Sequence, residues 1–258
     1  LIGDPSFQKA QGIIIQRIPL TEIHCKVHDK DFIFEDEDII VGTNTMPTKN
    51  WQKATVLSWV MQLFHGLQIG LPLSNYLRDK YNVRYTDYFE YIAEKNVVND
   101  KTPFLSEIIS GLHGATDLIL QGKARSRIMP EFGNVYWENE EASFFKISND
   151  KEKFYDELSY VTREFLRDFK KSFDVDELNE VIKYQKAITP GYKKIEQREF
   201  SFNYNIPEYF NKFFNGRIKL IKTNQRMVLD NPKDYNGDKL NFGIDIIRKR
   251  RNNSILHE

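Results

Sequence analysis

Apolar positions recur at helical spacing through most of this chain, and at period two from Glu199 onward. Val56, Val60, Leu63 and Leu67 fall on one helical stripe, with Leu57, Met61 and Phe64 beside it. The stripe lies in a window, Ala54 to Leu77, that holds no Asp, Glu, Lys or Arg although 29% of the chain is charged. The pattern predicts a long helix that starts at Pro47, a residue suited to a first helical turn, and stops at Gly70 and Pro72. Apolar on most sides, this helix is expected to be the hub of a core that buries Val60 and Leu63.

The same reading places further elements. Leu73 to Tyr81 and Thr86 to Glu94 read as shorter helices, with Thr86 a candidate N-cap. Pro103 to Leu120 has Leu105, Ile108, Ile109 and Leu112 on one face, and Gly122 stands where a left-handed C-terminal residue belongs. Residues 128 to 148 show no period and read as irregular around Pro130, Gly133 and Trp137. Asp150 to Ser172 carries Phe154, Leu158, Val161, Phe165 and Phe169 on one face. Asp174 to Ile188 follows, with Asp174 as a cap and Pro190-Gly191 as the stop.

Strand-like stretches lie outside this helical block. Gly12 to Ile18 and Ile39 to Val41 read as strands, separated by an acidic run, Phe32 to Asp38, that reads as a solvated loop. Phe200, Phe202 and Tyr204 alternate with polar residues. Pro207 to Phe214 reads as a short helix ending at Asn215-Gly216, Arg217 to Leu229 as a strand closed by Asp230-Asn-Pro232, and Leu240 to Arg251 as a helix or a strand. The expected fold is mainly α, of the α+β kind: a helical domain with N-terminal strands and a small C-terminal β element. Its segments are a strand and loop segment over 1–46, a helical domain over 47–198, and a small α+β element over 199–258 packed on it.

Composition narrows the function classes. Lys plus Arg equals Asp plus Glu at 37 each, so no global field gathers nucleic acid or an anionic membrane surface. The basic run Arg248 to Arg251 reads as a solvated end. The uncharged window is long enough for a bilayer, but Gln62, His65, Gln68, Ser74 and Asn75 lie within it and Gly66, Gly70 and Pro72 interrupt it. A buried helix is the expectation, not a span. One cysteine, Cys25, excludes an internal disulfide framework. The start of the chain lacks a basic region followed by an apolar run, so a cytoplasmic location is expected. That the chain opens on Leu1 suggests a fragment of a longer protein.

Candidate chemistry is sparse. His24, Cys25 and His28 are the one cluster of metal-ligand types, but a zinc site needs a closed set of three or four ligands, no other Cys exists, and His65, His113 and His257 are scattered. Ordinary loop residues are expected there, with no bound metal. His65 stands alone on the most apolar helix, and a core histidine bonded to a carbonyl is the favoured reading over a pocket group. Gly111-Leu-His113-Gly114 sits inside a helical pattern, where small residues usually permit close packing. Phosphate-loop, dinucleotide, zinc-protease and nucleophile-elbow motifs are absent.

Several short stretches in a fixed order carry a family likeness. Thr43-Asn-Thr-Met46 ends a strand, Ser58-Trp-Val60 and the Phe64-His65 pair follow on a helix, and Phe202 to Phe210 and Asp230 to Tyr235 lie near the end. This order resembles the region after the catalytic core in cobalamin-binding radical SAM proteins; residues 95 to 195 have no match to it. The resemblance implies a non-catalytic C-terminal accessory region of a larger radical SAM enzyme that helps enclose the substrate site, with Trp59, His65 and His113 as candidate lining residues. The partner it implies is the radical SAM core of the parent chain, acting on a small molecule. It implies an iron–sulfur cluster and S-adenosylmethionine, with cobalamin as a further candidate, in the parent and no cofactor in this chain. The cluster of such enzymes needs three cysteine thiolates in a C-x3-C-x2-C motif, and this chain has one cysteine. Two other readings stand beside it: a free-standing helical interaction domain, and a small-molecule enzyme using a pocket histidine, His65 or His113.

Overall fold

The computed structural model describes residues 3–27, 35–95, 99–193, 198–213, 216, 218–229, 233 and 235–251. His28, Phe32 to Phe34, Asn215, Asp230 to Pro232 and His257 therefore lie outside the described residues.

The chain opens with a short helix, α1 (Pro5–Gln11), that ends on Gly12 in the left-handed region, φ 59°. Two antiparallel strands follow, β1 (Ile14–Pro19) and β2 (Asp36–Gly42), with Arg17 opposite Asp38. The acidic residues Asp36 to Asp38 belong to β2, which corrects the solvated-loop expectation. Their charge is tolerated because this part of the strand is largely exposed and Arg17 Nε lies 2.8 Å from Asp38 Oδ1. A two-stranded sheet is marginal alone. Here Ile18 and Val41 close a small core with Ile119, flanked by Trp51 and Trp59.

α2 (Thr48–Met61) runs into a π-helical turn, Gln62–Gly66, and then breaks. α3 (Leu71–Tyr81) leaves at 93° to it. Pro72 therefore begins the second helix instead of ending the first. Gly70 is required at the break, since a Cβ there would sit 2.5 Å from Cδ1 of Phe64. Val60 and Leu63 are fully buried, as expected. The helix is not apolar on most sides in effect, because Ala54, Ser58 and Met61 face outward. Among the described residues no single helix is long and apolar enough to cross a membrane, and the bent pair around residue 68 has its inner stretch, Leu67 to Leu77, buried in protein.

Next come α4 (Tyr85–Lys95) and α5 (Pro103–Leu120), with Gly122 at φ 75° beyond it. Thr86 lies inside α4 and does not cap it. Residues 128 to 148 are not irregular throughout: β3 (Arg127–Ile128) pairs with β4 (Tyr136–Trp137), and α6 (Asn139–Asn149) follows. A reciprocal capping box between Glu138 and Glu141 starts α6. α7 (Lys151–Asp168) and α8 (Val175–Ile188) complete the helical block, and Asp174 caps α8 as expected.

β5 (Glu199–Tyr204) pairs antiparallel with β6 (Lys222–Val228), with α9 (Ile206–Asn211) between them and α10 (Lys239–Arg251) closing the chain. Residues 240 to 251 are thus helix. One large core runs from Val56 to Ile247 and is rich in aromatic rings, with Phe64, Phe89, Phe144, Phe145, Phe154, Phe165, Trp137 and Phe202 fully buried. Each such ring contributes on the order of 1.5–3 kcal/mol of burial free energy. The fold is mainly α with small β elements, as the sequence pattern predicts.

Candidate functional site

One recess lies where α2, α4 and α5 meet. Asn50, Lys53, Ala54 and Leu57 are spaced three or four apart on α2, and Glu90, Ala93 and Glu94 on α4. Each set therefore presents one face, and the two faces with His113 of α5 bound a cleft of about 610 Å³. Val56, Leu57 and Ala93 give it an apolar floor, and its rim is charged. Lys53 Nζ lies 2.9 Å from Glu94 Oε1 and ties α2 to α4 across the opening. Both partners are exposed, so this ion pair is weak and exchangeable.

His113 is half-buried, and its Nε2 lies 3.2 Å from the carbonyl oxygen of Ala93. A carbonyl only accepts, so Nε2 carries the proton and Nδ1 is left as an acceptor in the neutral ring. This is the carbonyl-bonded histidine expected for position 65. His65 itself is exposed on the π turn, with its ring edge-on to Tyr85 at 5.8 Å. Desolvation by the neighbouring protein lowers its pKa below the usual 6.5 although the ring keeps one face in solvent. Trp59 is half-buried and packs between the small core under the β1–β2 hairpin and the large core. Of the three candidate lining residues, His113 borders the cleft, while Trp59 and His65 do not.

Gly111, on the same helix as His113, gives room to a side chain and not to a helix. Arg127 reaches in and donates from Nη2 to the Gly111 carbonyl, while its Nε donates to Asn139 Oδ1 at 2.7 Å. A Cβ at 111 would lie 3.3 Å from that guanidinium. Burial lowers the Arg127 pKa.

Residues near the N-terminus have other work. His24, at φ 67°, places Nε2 at 2.9 Å from Glu141 Oε2, a fully buried carboxylate that also accepts from the Glu138 N–H. Cys25 is exposed, and its thiol is pushed up by desolvation and by Glu22. The implied iron–sulfur cluster does not fit the donors here, since one thiol stands where three thiolates are needed.

Lys53, Glu90 and Glu94 were not legible as a site from sequence. Their spacing marks ordinary charged helix faces, and only the packing of α2 against α4 brings them together.

No family model matches the chain. It is similar to the 2-(S-pantetheinyl)-carbapenam-3-carboxylate methyltransferase of Streptantibioticus cattleyicolor, at 24% identity over 205 residues, covering 68% of this chain and 28% of that protein. The chain thus spans little more than a quarter of that relative's length.

Proposed function

We propose that this chain is a non-catalytic accessory region of a larger radical SAM enzyme of the methyltransferase kind, and that the α2–α4–α5 cleft forms part of the wall around its small-molecule substrate. The observation that carries the reading is the likeness of 205 residues to part of a methyltransferase most of whose length lies outside the match. The ordered family-like stretches, Thr43 to Met46, Ser58 to Val60 and Phe64-His65, support it, and they run from the end of β2 into the helix that lines the cleft. The cluster and S-adenosylmethionine belong to the catalytic core in this proposal, because this chain lacks the thiolates. Radical chemistry needs a site shut off from water, and an apolar-floored helical wall suits that need.

Two features of the structure favour a wall over an independent active site. His113 is held by its bond to Ala93, and its neighbours Lys53 and Glu94 pair with each other. The β1–β2 pair exposes Ile14 and Ile15, Met46 is exposed in the turn after it, and among the described residues both strands have an open edge, a surface suited to packing on further protein.

The test uses the polypeptide that carries this chain together with its catalytic core. Removing residues 47–258 is expected to abolish methyl transfer while cluster content and S-adenosylmethionine binding persist. Turnover that survives the deletion overturns the wall. A parent reading frame without a three-cysteine motif overturns the radical SAM assignment.

A further inference from the structure

A second groove lies between α7 and α8. The two helices run antiparallel: Tyr155 Oη meets Thr189 Oγ1 at 2.5 Å, and eight residues on, Arg163 Nη2 donates to Asn179 Oδ1 at 2.6 Å. Ser159 and Arg163 on α7 and Asn179, Lys183 and Lys186 on α8 face into a space of about 290 Å³ floored by Ile182 and Tyr155. Charge is unevenly placed along it. Asp156 lies toward the Lys186 end, Arg163 lies at the other beside Asn179, and Lys183 stands between them.

Arg163 is the unusual member. Among the described residues its buried Nε has no hydrogen-bond partner, and its guanidinium meets a neutral amide and no carboxylate. Arg17, Arg84 and Arg167 each have a carboxylate against them. A guanidinium stays charged at any physiological pH, so Arg163 brings an uncompensated charge to a partly desolvated groove. Lys183, which lines the same groove, donates from Nζ to the Ser201 carbonyl at 2.5 Å, with Glu180 at 3.6 Å and the Phe202 ring at 5.1 Å. Lys186 pairs with Glu152 at 2.5 Å, but Glu152 is exposed and readily exchanged.

We propose that the Arg163 end of this groove binds a tetrahedral oxyanion, the phosphate or sulfate ester of a small organic molecule. The Arg163 fork and the Lys183 ammonium supply charge, and the Ser159 hydroxyl supplies one more donor. The floor of Ile182 and Tyr155 takes the organic part, for which the groove has space beyond a bare ion. This site is independent of the α2–α4–α5 cleft and of the role proposed for it.

The experiment titrates the full chain with inorganic phosphate and with phenyl phosphate at fixed ionic strength, following heat and the amide resonances of α7 and α8. Phenyl phosphate is expected to bind saturably and more tightly than inorganic phosphate. Arg163→Gln is expected to weaken it about tenfold or more, and Arg163→Lys less, because the charge remains without the fork. Unchanged melting temperatures show that the variants are folded; should Arg163→Gln unfold, Ser159→Ala and Lys183→Gln carry the same comparison. No saturable binding of either probe, or equal binding by wild type and the charge-removing variant, overturns the site. Inorganic phosphate binding as tightly as phenyl phosphate overturns the organic-ester assignment.

Discussion

The carboxylate of Glu157 on α7 caps α5: its Oε2 accepts the Leu105 N–H at 2.7 Å, and its Oε1 accepts the Phe104 N–H at 3.1 Å. The first N–H groups of a helix have no intrahelical partner, and this one meets them from another helix, next to the helix dipole's positive end. Glu157 is itself buried. Glu157→Ala is expected to destabilise the protein by about 1–3 kcal/mol, the penalty for leaving buried N–H groups unpaired, and Glu157→Gln by less. Urea unfolding measures both. A loss below about 0.5 kcal/mol for the alanine variant would mean that water replaces the cap.

The π turn after α2 carries a second stability prediction. Leu63 is fully buried there, among rings of the large core, while Met61 two residues before it is exposed. Leu63→Ala is expected to cost about 2–5 kcal/mol, through lost transfer energy and a residual cavity. Met61→Ala is expected to stay within about 0.5 kcal/mol in the isolated chain. Similar costs for the two would contradict the one-sided burial of this helix.

Legibility of the fold followed whether an element kept a polar face. α5 was readable to the residue because Pro103 opens it, Gly122 follows it in the left-handed region, and one side is polar. α6 was missed because almost nothing on it is exposed: Asn139, Glu140, Glu141 and Ser143 are buried beside Phe144 and Phe145, so no amphipathic period survives. Its start signal was present in Glu138 and Glu141, the two ends of the capping box. Asp36 to Asp38 misled in the opposite way, since an exposed strand end tolerates a run of acids. Of the cleft, His113 was visible as a residue type. Its setting was not, because the Lys53–Glu94 pair and the Ala93 carbonyl come from helices whose packing no local pattern states.

His65 predicts a pH dependence. Desolvation holds its folded pKa below the unfolded value near 6.5. The unfolded chain therefore takes up the proton first, so the folded state loses stability as pH falls through the unfolded pKa toward the folded one. Against His65→Asn, wild type is expected to lose relative stability between about pH 7.5 and about pH 5, as read by thermal melts across that range. A constant difference between the two proteins at all pH values would show that the ring titrates alike in both states.

Cys25 is exposed, yet its thiol is pushed up by desolvation and by the carboxylate of Glu22. A raised pKa means less thiolate at a given pH, and the thiolate is the reactive form. One thiol per chain is expected to react with a disulfide reagent near pH 8, more slowly than free cysteine, and Glu22→Gln is expected to speed it. A faster reaction in wild type than in the variant would reverse the sign assigned to Glu22.

The last prediction separates a wall from a catalyst at His113. As part of a wall, this residue acts through its Nε2–H bond to the Ala93 carbonyl, which fixes α5 against the end of α4 and shapes the cleft floor. As a catalyst, it acts through a ring that exchanges a proton during turnover. His113→Gln keeps an N–H donor at similar reach but cannot titrate. In the parent enzyme it is therefore expected to retain kcat within about threefold and to change mainly KM, with the pH profile unchanged. His113→Ala removes the tether and is expected to raise KM further and to lower the melting temperature. A loss of kcat of about a hundredfold or more in His113→Gln, with one limb of the pH profile gone, would assign proton transfer to this ring and replace the wall with an active site in the cleft itself.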